Sequence, residues 1–340
     1  MLTAISAIIV FSLLVTVHEF GHFITAKKAG ITVHEFSVGM GKAIWQKMKN
    51  GTVYSIRILP IGGFCKMEGE DGDSADDGAF CNKSAWQRFT VLFAGAFMNI
   101  VTGFVLFVIL ISLSSPIAST SVGELLPDYP FATSGIQVGD RIVRLEGENY
   151  STNVNIYSDI SFFKFRNGND GANITFERDG ERFTKYVEQK KDDKTGSFIY
   201  GFVPMAEEQG IITTIKTAFY QSVFTVKMVI ESFVMLITGQ VPMSDMAGPV
   251  GIVKEIGSAA KMGILNVINL AGLLSINLGV ANLLPIPALD GGRILILLIE
   301  KIRRKPLKAE HEGMIHFIGF ALLMLLMVFV TFSDITRLFK

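Results

Sequence analysis

Leu13-Leu14-Val15-Thr16-Val17-His18-Glu19-Phe20-Gly21-His22 joins an apolar run that reaches back to Leu2 with a His-Glu-x-x-His string. No residue from Leu2 to Val17 is charged, which predicts a membrane-spanning helix rather than a soluble one. Two histidines at i and i+4 share one helix face, with Cβ atoms roughly 5–6 Å apart, close enough for both imidazoles to hold one zinc ion. Glu19 then lies beside the metal, where it can take a proton from a water whose pKa the metal lowers to about 7. A charged group within a bilayer costs on the order of 2.5–3.5 kcal/mol, so Glu19 at this depth marks a functional site. The string reads as a zinc hydrolase in a membrane.

Composition agrees with that reading. The chain has 340 residues, 49% of them hydrophobic, with zero formal net charge and a mean hydropathy of +0.43. These values predict a multi-span membrane protein carrying a modest polar domain. Balanced charge without a basic stripe excludes a nucleic-acid partner.

Four stretches, 3–25, 91–113, 264–285 and 314–332, are long and apolar enough to span a bilayer as helix. The first has no basic leader and no small-residue cleavage pattern, so it is expected to be a retained span and not a signal peptide. Lys27 and Lys28 follow it, Lys83 and Arg88 precede the second span, and Lys301, Arg303, Arg304, Lys305 and Lys308 lie between the third and fourth. Short basic loops face the cytoplasm, which puts the N-terminus and the 115–206 segment outside and the histidine pair near the inner face. Cys65 and Cys81 fall in the first cytoplasmic loop, with no CxxC partner, and are expected to be free thiols.

A catalytic zinc needs a third protein ligand. His34, His311 and His316 are candidates by residue type, but the stronger one is Asp290, in Asn282-Leu283-Leu284-Pro285-Ile286-Pro287-Ala288-Leu289-Asp290-Gly291-Gly292. Pro285 and Pro287 break the third span, and irregular backbone at membrane depth survives only where protein or water covers it. Asp290 can turn to the metal from such a wall, with Asn282 as a side-chain hydrogen-bond donor and Asn277 at a similar depth. The alternative is a proline kink in which Asp290 caps a helix that resumes at Arg293.

Residues 31–68 alternate apolar and polar groups around Asn50-Gly51, a strong hairpin turn, with Gly62-Gly63 ending the run. A hairpin edge near the inner face could accept an extended substrate by strand addition. Glu68 to Asp77 reads as an acidic solvated linker. Further along, Ser134-Gly135-Ile136-Gln137-Val138-Gly139-Asp140-Arg141-Ile142-Val143-Arg144-Leu145-Glu146-Gly147 resembles the signature of PDZ domains, in one copy over about 121–204. The resemblance implies either capture of chain ends or a size filter. Apolar groups recurring from Ile211 to Ile237, interrupted by Lys216, Lys227 and Glu231, predict an amphipathic helix lying on the outer surface.

The histidine string together with Asn282-x-x-Pro285-x-Pro287-x-Leu289-Asp290-Gly291 resembles the site-2 protease family of intramembrane zinc metalloproteases, in its bacterial branch typified by the regulator of sigma-E protease. Glu35 to Gly41 and Tyr54 to Met67 look like its membrane-associated β-hairpin, Ala94-Gly95-Ala96-Phe97-Met98-Asn99 like its second-span motif, and Gly248-Pro249-Val250-Gly251-Ile252 like another shared element. The family pattern has proline where this chain has Ala96.

By resemblance His18, His22 and Asp290 are ligands of Zn2+, and Glu19 is the catalytic base. The implied fold is an α-helical polytopic membrane protein of about four transmembrane helices with a membrane-associated β-hairpin and an inserted PDZ domain. Its divisions are 1–114 (two spans and hairpin), 115–206 (PDZ), 207–240 (interfacial helix) and 241–340 (two spans and the Leu-Asp-Gly motif). The expected activity is endoproteolysis, in a bacterial cytoplasmic membrane, of single-span proteins such as anti-sigma factors or remnant signal peptides. The rival is a non-proteolytic PDZ scaffold with structural zinc, but structural sites are closed by four protein ligands, and only three convincing ones are present.

Overall fold

In the computed structural model the N-terminal apolar run is one helix, α1 (Leu2–Lys28), whose last turn carries Lys27 and Lys28. The structure describes all residues except 1, 71, 73, 115, 149, 193–195, 243–246, 306, 308 and 339–340. Lys308 of the basic loop and Asp71 and Asp73 of the acidic one therefore lie outside the described residues. The chain divides into two units, 1–107 with 225–340, and 108–224.

In the first unit α1 leads into β1 (Val33–Lys49) and β2 (Thr52–Met67). Asn50 and Gly51 both take positive φ, the requirement of the tight turn their sequence predicts. The pairing is more folded than a simple hairpin. Ala43 to Lys49 pairs with Thr52 to Arg57, but Val33 to Val38 lies between two parts of β2, pairing with Gly63 to Met67 and also with Val53 to Ile56. Gly62-Gly63 does not end the run, contrary to the sequence reading. Gly39, Gly41 and Gly62, all at positive φ, let both strands double over without interruption.

At the fold's tip the Pro60 carbonyl accepts a hydrogen bond from the Ser12 hydroxyl. Ser12 is six residues before His18 along α1, about 9 Å of helix rise. The tip therefore reaches to the depth of the middle of α1. Ile44, Trp45, Ile58, Leu59 and Ile61 are exposed there, as suits side chains that meet lipid.

Helix α2 (Ala85–Leu113) runs unbroken through Ala96, which is fully buried. The other elements of this unit are α6 (Pro249–Met262), α7 (Ile264–Asn282), α8 (Asp290–Arg303) and α9 (Ala309–Leu338). Small residues let helices meet closely: Gly21 lies against the Ala94 backbone, Gly279 against the Ala96 carbonyl, and Ser275 Oγ donates to the Asn99 carbonyl at 2.7 Å. Asp334 of α9 accepts from the Gly248 and Gly251 amides at 3.1 and 2.8 Å, so the Gly-Pro-Val-Gly element is a helix start capped from another helix. Ala7, Val10 and Leu14 of α1 pack with Ile256 and Ala271, while Ala26, Val33, Met67, Phe80 and Val91 form a second cluster at the other end.

The second unit holds β3 (Ile117–Leu125), α3 (Pro130–Thr133), β4 (Arg141–Glu146), β5 (Ser151–Asn153), α4 (Tyr157–Asn167), β6 (Ala172–Arg178), β7 (Glu181–Val187), β8 (Lys190–Lys191), β9 (Phe198–Ile199) and β10 (Phe202–Glu207). Its main sheet has the order β10-β3-β4-β6-β7, with β5 pairing β4. Phe131, Ile142, Leu145, Phe163, Ile174, Phe176 and Tyr200 fill its core. A register shift between Ile142 and Arg144 sends Leu145 inward where strict alternation would have chosen Arg144. Asp140 is buried and takes a bidentate Arg178 at 2.6 and 2.7 Å together with the Gln137 amide at 2.8 Å.

Helix α5 (Ile211–Ile237) begins in this unit and ends in the other. Among the described residues five helices, α1, α2, α5, α7 and α9, are long and apolar enough to cross a membrane, one more than the four spans read from sequence.

Candidate metal centre

His18 and His22 lie one turn apart on α1, both buried. Their Nε2 atoms are 3.1 Å apart, and Asp290 Oδ2 stands 3.2 Å from the first and 3.4 Å from the second. Three electron-pair donors at this spacing repel one another unless a cation or proton sits among them. Metal–ligand bonds of about 2.0–2.1 Å in a tetrahedral shell place neighbouring donor atoms about 3.3 Å apart, so the residues present fit a zinc ion. These three residues are the described histidine and carboxylate cluster whose ligand atoms all lie within 4.8 Å of one another. Asp290 Oδ2 is buried with no hydrogen-bond donor, as a metal-facing oxygen should be.

The outer nitrogens are also engaged. His22 Nδ1 donates to the Val91 carbonyl at 2.8 Å, which leaves Nε2 as the lone-pair face. His18 Nδ1 lies 3.3 Å from the Asn99 amide and 3.4 Å from that of Asn282. The sequence picked out Asn282. Asn99 and Gly95 it left as parts of a span motif, and the only signal was their position opposite His18 and His22 on an antiparallel helix. A Cβ at Gly95 would run into both imidazoles, so only glycine lets α2 come this close.

Glu19 projects from the next position on α1, where β2 passes against it: a Cβ on Gly63 would stand 3.7 Å from Glu19 Cγ. Asp290 opens α8 directly after Leu289 and turns its carboxylate to the histidines, so the capping alternative with a helix resuming at Arg293 does not describe it. The remaining sequence candidates lie elsewhere. His34 pairs with Glu68 at 2.7 Å, His311 and Asn277 are exposed, and His316 accepts from the Ala288 amide at 3.0 Å. Cys65 and Cys81 are free thiols.

Charge is organised outside the spans as well. Burial raises the Glu35 carboxyl, but the Ser55 hydroxyl at 2.5 Å and Arg57 at 2.7 Å outweigh it and hold the group below its ordinary range. The base of the hairpin therefore carries a paired carboxylate.

A buried histidine pair and an aspartate converge, with the geometry of a metal site, among helices apolar enough to cross a membrane. Residues 6–326 match the model of peptidase family M50. A Clostridium acetobutylicum protein assigned as a zinc metalloprotease is 38% identical over 97% of this chain and 96% of its own length. Zinc metalloprotease RasP of Bacillus licheniformis is 33% identical over 99% of each chain, and the regulator of sigma-W protease RasP of Bacillus subtilis is 32% identical over 99% of each. Both RasP alignments run over more than 420 positions, so those relatives carry segments absent from these 340 residues. The chain belongs to peptidase family M50, the site-2 proteases. It is a multi-pass membrane zinc metalloprotease, of the kind that carries out regulated intramembrane proteolysis.

Proposed function

We propose that this protein cuts single-span membrane proteins within or near their transmembrane helix, with anti-sigma factors or remnant signal peptides as the substrate class. The convergence of His18, His22 and Asp290 within 3.1–3.4 Å carries this reading. In it these three residues hold zinc, which when bound supplies a Lewis acid that acidifies water and polarises the scissile carbonyl. Glu19 accepts the proton of the attacking water and returns it to the departing amide nitrogen. The amide oxygen of Asn99 is buried without a partner. Turned toward His18 it accepts the Nδ1 proton and keeps Nε2 on the metal, with Asn282 beside it.

An intact helix hides its backbone groups, so a substrate must unwind before cleavage. Gly63 to Met67 pairs with Val33 to Val38 on one edge, and no described strand pairs with the other. That edge, next to Glu19, offers main-chain hydrogen bonds to an extended substrate. The 115–206 segment acts outside the membrane as a PDZ domain, a reading supported by its antiparallel sheet and by the Gly139-Asp140 turn that feeds β4. Lys27, Lys28, Lys83 and Arg88, which flank the hairpin, and Lys301, Arg303, Arg304 and Lys305 lie on the cytoplasmic side, and α5 lies along the outer surface.

Cleavage of a tagged transmembrane substrate by purified protein tests the reading. Wild type should cut, while Glu19→Gln and chelated wild type should not, and the mutant should still bind about one zinc per chain. Equal cleavage by wild type and mutant would reject Glu19 as the base.

A further inference from the structure

Asp290 reaches the histidines from an irregular loop, and that loop is held by a helix that contributes no ligand. Ala288, two residues before Asp290, has φ +77°, a left-handed conformation that a non-glycine residue adopts only under constraint. Its amide donates to His316 Nδ1 on α9 at 3.0 Å. The ring's proton is thereby assigned to Nε2, on the side of Glu312, whose Oε1 is 3.9 Å away. One turn along α9, Gly319 receives Pro287 so closely that a Cβ there would overlap the proline ring and its carbonyl. Pro287 and Ala288 are thus gripped from one face, and Gly292, two residues beyond Asp290, closes on the Ile286 carbonyl from the other side.

We infer that His316 is a positioning residue for the metal: by accepting the Ala288 amide it holds the left-handed turn that aims Asp290 Oδ2 at His18 and His22. The inference rests on the zinc site proposed above and deepens it. Without the acceptor, Ala288 can relax toward negative φ and the Asp290 carboxylate swings off the line to the histidines. α9 is then part of the metal site although it supplies no metal-binding atom.

Zinc affinity, measured on the full-length protein in detergent against a chromophoric chelator, tests this without reference to cleavage. His316→Leu keeps the bulk and removes the acceptor, and should weaken zinc binding by roughly 10–100-fold, the usual scale for partners that orient ligands. His316→Asn, whose amide oxygen sits near the place of Nδ1, should recover most of the loss. Gly319→Ala approaches from an independent contact, keeps His316, and should also weaken binding by pushing Pro287 away. The visible spectrum of the Co2+-loaded protein should change in His316→Leu and not in His316→Asn. Wild-type affinity in His316→Leu would overturn the inference. So would equal losses in His316→Leu and His316→Asn that follow the melting temperature of the zinc-free proteins, because that pattern means packing alone. Wild type that binds no zinc would instead reject the metal site itself.

Discussion

His22 Nδ1 donates to the Val91 carbonyl at 2.8 Å, so a backbone group of α2 fixes which nitrogen of an α1 histidine faces Asp290. In the proposed zinc site the ligand face of α1 is set by its packing on α2, so changes on α2 should be felt as changes in metal binding.

Gly95→Ala is the direct case. The new methyl meets both imidazoles and cannot be absorbed by a flexible side chain, because the neighbours are rings already tied to Val91 and Asn99. Zinc affinity should fall by roughly 10–100-fold. Chelator competition measures it.

Asn99 distinguishes an acceptor from a filler. Asn99→Leu leaves His18 Nδ1 without its closer amide and should cost activity and zinc affinity by about tenfold or more. Asn282→Leu, which removes the more distant amide at 3.4 Å, should cost less affinity. Paired titrations of the two variants decide the order.

The hairpin tip can be located optically. The chain has two tryptophans, of which Trp45 lies on the exposed apolar part of β1 and Trp86 at the start of α2. With Trp86→Phe, the remaining Trp45 emission should be quenched by lipids brominated on the acyl chain. Emission unaffected by bromolipid would put the hairpin in water.

Asp140 predicts a pH dependence in the 108–224 unit. Burial raises its carboxyl, but the bidentate Arg178 and the Gln137 amide outweigh that and hold it below the usual aspartate range. A carboxyl whose folded pKa is depressed contributes stability that is full above its unfolded value, about 3.9, and is lost as pH falls through the folded value. Hydrogen exchange at β4 and β6 should therefore accelerate as pH drops below about 4, after correction for intrinsic rates. Asp140→Asn should exchange faster at neutral pH, by about 1–3 kcal/mol of protection, and lose the acid dependence.

The His-Glu-x-x-His spacing and the proline–glycine cluster before Asp290 were readable because each is local chemistry: a helix face in one case, a broken span in the other. The contacts of Asn99 and Gly95 were not, and His316, offered by residue type as a ligand, instead holds the Ala288 amide, since each gains meaning only from a partner on another element. The doubled hairpin escaped for a different reason. Alternation of Tyr54, Ile56 and Ile58 is the same whether a strand runs straight or bends at glycine, so its pattern cannot report the second pairing of Val33 to Val38. The count of apolar helices was blurred at α5, where Lys216, Lys227 and Glu231 interrupt a run that is still long enough to span.

His18 and Asp290 meet at 3.2 Å although one belongs to the first helix and the other to the chain's last fifth. A ribosome delivers the histidine pair into the bilayer long before it has made the aspartate, so the nascent chain carries an unfinished blade. If these residues form the proposed zinc site, it is complete only once α7 has packed on α1 and Asp290 at the start of α8 has reached His18. Synthesis order therefore ties completion of the proposed metal site to the arrival of the last helices of the chain.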